Sequence, residues 1–167
     1  MQALDPICGL QWSDSLSTAQ KRVPGTEYTT HPDAMDDGSP DYVLFLKAPK
    51  IAGIQAQTFA SFERGKLSSV QHRFPATKPA RAQWAKKTAD ERIAAVNAIL
   101  EELGCEERID SNADRFASTW TRDEYQFGAE AFLEHLNDYA EAQRCIPGVP
   151  MFTIYVTRVK PAKRAKA

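Results

Sequence analysis

Apolar and polar positions along the chain follow two rhythms, an alternation suited to strands and a three-to-four spacing suited to helices. Strand-forming residues dominate longest over residues 42 to 74. Tyr42 to Lys47 is a short aromatic and aliphatic run that ends at Ala48-Pro49, because proline has no N–H for a continuing ladder. Gln57 to Glu63 and Leu67 to Phe74 flank Arg64-Gly65-Lys66, where Gly65 supplies the positive φ of a tight hairpin or a G1 bulge. Two registers fit this hairpin. A two-residue loop sets Phe59 opposite Val70 and Phe62 opposite Leu67, whereas a three-residue loop sets Ala60 opposite Val70 and Phe62 opposite Ser68. The first is preferred because it pairs large apolar groups, and a slip of one position would turn every side chain to the other face.

The remaining elements follow from the same signals. Leu16, Ala19 and Val23 predict a short helix capped by Ser13 or Asp14 and stopped by Pro24-Gly25. Glu27 to Thr30 reads as a strand, and His31 to Pro40 (HPDAMDDGSP) as an exposed acidic loop. Ala76 to Lys87 is a partly helical connector around Trp84. Thr88-Ala89-Asp90-Glu91 is a capping box; behind it Ile93, Val96, Leu100 and Leu103 form one apolar stripe that ends at Gly104. The opposite face, with Arg92, Asn97, Glu101 and Glu102, is expected in solvent. After a charged loop from Cys105 to Arg115, Phe116 to Arg122 and Glu124 to Phe127 predict a second hairpin around Arg122-Asp123. Ala129 to Arg144 has helical spacing through Phe132, Leu136 and Tyr139, up to Pro147-Gly148 and Pro150. Met151 to Val159 is a final strand. Strands that arrive as hairpins indicate an α+β fold: an antiparallel sheet of about five to six strands with two to three helices on one face.

Composition narrows the class. The 167 residues suit a single α+β domain over residues 1–159, followed by a basic tail, 160–167, expected to be disordered. No apolar run approaches the roughly 20 residues of a membrane helix. The net charge of −1 hides an asymmetry, because Lys160, Lys163, Arg164 and Lys166 crowd the tail and leave 17 basic against 22 acidic groups before it. A mildly acidic body argues against nucleic acid, which calls for a basic face. Cys8, Cys105 and Cys145 form no CxxC and are too scattered for a zinc site; their disulfide state stays open. No basic-then-apolar leader precedes Leu4-Asp5-Pro6, which leaves two expectations: a cytoplasmic protein, or a periplasmic one whose signal peptide has been removed.

Reactive constellations are sparse. His31, His72 and His135 are far apart and are read as surface or structural histidines, with no metal site expected. Asp33, Asp36 and Asp37 beside His31 do not have calcium-loop spacing. No glycine-rich phosphate loop, nucleophile elbow or dinucleotide fingerprint occurs, and no cofactor is expected. Trp120-Thr121-Arg122-Asp123 mixes an aromatic ring with charge on a hairpin and forms a candidate contact patch, although Trp120 packed in the core is the blander alternative.

Gly9-Leu10-Gln11-Trp12-Ser13-Asp14-Ser15-Leu16, the hairpin Phe62 to Val70 and Trp120 to Asp123 together resemble a loose class of small Gram-negative α+β envelope domains. These open with G-x-x-[WG]-x-x-S-L and carry an F-x-x-G-K-L-x-x-V hairpin. The resemblance implies a binding module, and the class includes immunity proteins that neutralise a secreted toxin. The expectation is therefore a non-enzymatic, protein-binding inhibitor of a toxin or effector, with Asp33, Asp36, Asp37, Trp120, Arg122 and Asp123 as partner-binding candidates. Its alternatives are an envelope assembly or scaffold protein, and an enzyme whose Cys/His site is assembled by folding, with Cys105 or Cys145 near His135 and Glu134. Partner identity, strand order and oligomeric state are left open.

Overall fold

The structure, a computed structural model, describes residues 4–23, 28–34, 40–46, 50–76, 78–110, 115–132 and 152–160. Its centre is a seven-stranded sheet in the order β1-β2-β5-β6-β9-β8-β7. The strands are β1 Tyr28–Ala34, β2 Pro40–Leu46, β5 Gln57–Glu63, β6 Lys66–Phe74, β7 Arg115–Arg122, β8 Tyr125–Phe132 and β9 Phe152–Arg158, and every neighbouring pair is antiparallel. A two-stranded flap of β3 Lys50–Ile51 and β4 Ile54–Gln55 turns at Ala52-Gly53, both at positive φ. The helices are α1 Leu16–Arg22, α2 Lys78–Ala85 and α3 Ala89–Glu102. The α+β class and the antiparallel sheet are as the hairpin pattern predicts, with one strand more than the upper count.

Alternation divides the sheet into two unlike faces. Leu44, Ala60, Val70, Val156, Phe127 and Trp120 lie in one cross-strand row, and Leu46, Thr58, His72, Ile154, Ala129 and Ser118 in the next. Apolar members of these rows join Ala19 of α1, Trp84 of α2 and Ile93, Val96, Ile99 and Leu100 of α3 in one core cluster. On the opposite face Ser61, Ser69, Thr157, Gln126 and Thr121 form a polar row. Next to it runs Phe59, Gln71, Tyr155, Gly128 and Thr119, and Tyr155 keeps 40% of its surface exposed.

The first hairpin combines both candidate registers. Arg64 and Gly65 both take positive φ, so the turn has two residues and Phe62 meets Leu67. The register then shifts between Ser61 and Phe62, and Ala60, not Phe59, faces Val70. The extra residue is Ser68, whose hydroxyl donates to Ser61 O at 2.9 Å. This bulge lets Leu67 and Val70, three positions apart, both reach the core.

Other expectations are corrected at their edges. Ser15, not Ser13 or Asp14, caps α1 by accepting from Thr18 N–H, while Asp14 is buried and paired with Arg22 at 3.0 Å. Residues 31–34, expected in a loop, continue β1 through an irregular register between Thr30 and Ala34, and an edge strand tolerates Pro32 there. The capping box of α3 forms as predicted and Gly104 takes φ +81°. Arg92, however, is buried, and its Nη1 donates to Lys87 O at 2.6 Å. Residues Ala129 to Phe132 are strand, not helix: β8 pairs with both β7 and β9, and that pairing overrides the weak strand preference of its glycine and alanines. Residues 133–144 of the expected helix lie outside the described residues, as do Asp36, Asp37 and Cys145.

Candidate functional site

The leading segment is a series of tight turns, and the Asp5 side chain reinforces the first of them. Its carboxylate accepts the N–H of Ile7 at 3.0 Å and of Gly9 at 2.6 Å, and the chain folds back through Cys8 and Gly9, both at positive φ. Ile7 and Leu10 thereby enter the core, and Gln11 to Ser13 cross the ends of β8 and β9. Asp14 secures the far end. It accepts Gln11 N–H at 2.8 Å through its carboxylate and Leu67 N–H at 3.0 Å through its carbonyl. His72, wholly buried on β6, pins the near end: Nε2–H donates to Pro6 O at 2.9 Å while Nδ1 accepts from Thr58 Oγ1 at 2.8 Å. Its pKa is pushed down to about 4 by burial, so the ring is neutral.

The β7–β8 turn approaches from the other side. Asp123 takes φ +53°, and Val159 N–H donates to Glu124 O at 3.0 Å, tying the turn to the end of β9. Between turn and segment lies a cavity of about 460 Å³ walled by Asp5, Gln11, Trp12, Glu124, Tyr125 and Arg158 over Ile7 and Leu10. Trp12 and Tyr125 meet at a ring-centroid separation of 6.2 Å and 54°. Burial holds the Tyr125 phenol above its ordinary range, aided by the Asp5 and Glu124 charges and by a hydrogen bond with Glu124. Burial, and then Asp5, pushes the Cys8 thiol up to about 12, so it remains protonated. Two carboxylates against Arg158 leave the wall net negative, and an aromatic pair under that charge suits a cation.

The predicted contact residues separate by role. Trp120 is half-buried: its Nε1–H donates to Leu103 O at 3.0 Å, and its ring stacks on Phe127 at 5.2 Å and 7°. Arg122 donates to Glu102 O at 3.2 Å and lies 5.4 Å from the Phe127 ring centre, so both side chains brace the hairpin against the end of α3. Asp123 is exposed on the turn beside the pocket-lining Glu124. Asp33 belongs to β1, and nothing described brings it to the pocket. Sequence reasoning missed Asp5, Trp12, Glu124, Tyr125 and Arg158. The usable signal was Asp5 four residues before Gly9, a turn pattern; the rest depends on β8 and β9 being neighbours.

Among the described residues no group of three or more His, Cys, Asp or Glu is placed to hold a metal ion, and no helix is long and apolar enough to cross a membrane. Comparison of the chain with family models, curated proteins and solved structures returned no match.

Proposed function

We propose that the protein is a non-enzymatic protein-binding module, an immunity-type inhibitor that binds a basic toxin or effector directly. In this reading the pocket beside the β7–β8 turn receives a lysine or arginine side chain of the partner. The observation that carries it is the convergence of Asp5, Glu124, Trp12 and Tyr125 around one cavity, with exposed Asp123 beside it. A cation over an aromatic ring is worth about 0.5 to 2 kcal/mol, and carboxylates next to it add charge-assisted hydrogen bonds. Buried aromatic rings at a pocket are also the usual anchors of tight interfaces. The excess of acidic groups before the tail, 22 against 17, would speed encounter with a basic cleft.

The test is co-expression with the products of neighbouring genes, read as growth rescue from a toxic one and as calorimetric binding of the purified pair. Rescue and micromolar or tighter binding by the wild type, both lost in Glu124→Lys with unchanged thermal unfolding, are expected. A wild type that rescues no neighbour and binds none, or a Glu124→Lys variant that binds equally well, overturns the reading.

A further inference from the structure

The two edges of the large sheet are unlike. Edge strand β1 carries Pro32 and an irregular register between Thr30 and Ala34, two devices that discourage further pairing. Edge strand β7 has neither. It runs RFASTWTR without proline, lysine or acidic residue, and its eight residues pair with β8 without interruption from Arg115↔Phe132 to Arg122↔Tyr125. Its outer side has no strand in the sheet order, and no backbone bond outside the ladder reaches it among the described residues. Bonds of Trp120 and Arg122 to the last carbonyls of α3 hold it rigid. Ala117, Thr119 and Thr121 stand exposed on the face opposite the helices, where a shallow groove of about 320 Å³ runs over Gly128 to Tyr155.

We infer that β7 is a self-association edge: two copies pair β7 to β7 antiparallel about a two-fold axis perpendicular to the sheet at Thr119. Such an axis keeps the polar faces of both sheets on one side, which requires paired positions on the same face. Centred on Thr119, it sets Thr119 against Thr119 and Ala117 against Thr121, all small neutral residues, and threonine pairs are favourable across strands. It also brings Arg115 of one copy to Asp123 of the other, twice by symmetry. Asp123 has no hydrogen bond or ion pair among the described residues and is free for this contact. Centring on Ser118 would instead rely on Arg122, which Glu102 O and the Phe127 ring already hold. In the Thr119 register the two grooves meet across the axis as one continuous trough.

Sedimentation of the full chain from about 1 to 500 µM tests the pairing by mass action. The wild type is expected to move from the 18.6 kDa monomer toward twice that mass. Thr119→Lys sets like charges face to face and should weaken the dimer ~10-fold or more while leaving thermal unfolding unchanged. Under mild oxidation, measured above the wild-type background of the native cysteines, Thr119→Cys should cross-link to itself and Thr121→Cys should not. A mixture of Ala117→Cys with Thr121→Cys should cross-link, since directly paired positions lie within disulfide reach. A monomer at every concentration, leaving the edge to an extended segment of another protein, overturns the proposal. So does equal self-linking of Thr119→Cys and Thr121→Cys.

Discussion

Lowering the pH should loosen the attachment of the leading segment through one residue, His72. In the fold the ring is neutral, fully buried, and bonded on both nitrogens to Thr58 and Pro6. Burial lowers its pKa from 6.5 to about 4, and the hydrogen bond to Pro6 O only partly offsets this. The folded value lies below the unfolded one, so below 6.5 the unfolded chain takes up a proton that the folded chain refuses. The contribution is therefore complete above pH 6.5 and declines as pH falls to about 4, where it is exhausted. The whole gap corresponds to about 3 kcal/mol, of which about 2 kcal/mol is lost between pH ~7.5 and pH ~5. Urea unfolding at those two pH values, on the wild type and on His72→Gln, isolates the effect, because every other titrating group is common to both proteins. Glutamine keeps an amide donor for Pro6 O but does not titrate, so its stability should fall by about 2 kcal/mol less over that interval. Equal pH dependence in the two proteins, or an imidazole titrating near 6.5 in the folded state, would refute the argument.

Two further expectations follow from single contacts. Thr88→Ala removes the side-chain acceptor for Glu91 N–H but keeps the backbone N–H that donates to the Glu91 carboxylate, and should cost about 1 kcal/mol by denaturant unfolding, with little change in the urea slope. Cys8, whose thiol burial and Asp5 hold near 12, should be alkylated by iodoacetamide at pH ~7.5 orders of magnitude more slowly than a free cysteine, and reach the ordinary rate only in denaturant.

What could be read in advance was what is locally encoded. The turn at Gly65, the Thr88/Glu91 box and the β-branched and aromatic run at Ile154 to Thr157 are signals carried by neighbouring residues, and each is found where expected. The Ser68 bulge was not legible, because either loop length satisfies the turn; only the need to turn both Leu67 and Val70 inward decides it. The second half of β8 was hidden for a related reason. Gly128, Ala129 and Ala131 have little intrinsic strand preference, and β7 and β9 impose the conformation from both sides. The pocket was the least legible feature, since Asp5, Glu124 and Arg158 are more than a hundred residues apart at the extremes and meet only once the strand order is known.

The proposed pocket and the proposed edge share one residue, and that sharing separates them experimentally. Asp123 sits at the end of β7, where a second copy would bring Arg115, and next to Glu124 on the pocket wall, where a basic partner would dock. If both contacts exist, a partner drawing on Asp123 competes with the dimer. Binding would then shift the chain toward monomer, by the reciprocity that any two ligands of one group must obey. Thr119→Lys should leave partner binding intact or tighten it, and Glu124→Lys should leave the dimer intact. Asp123→Lys should weaken both. Loss of both properties in Thr119→Lys would mean that the pocket acts only within a dimer, and the two sites would then have to be treated as one surface spanning the two-fold axis.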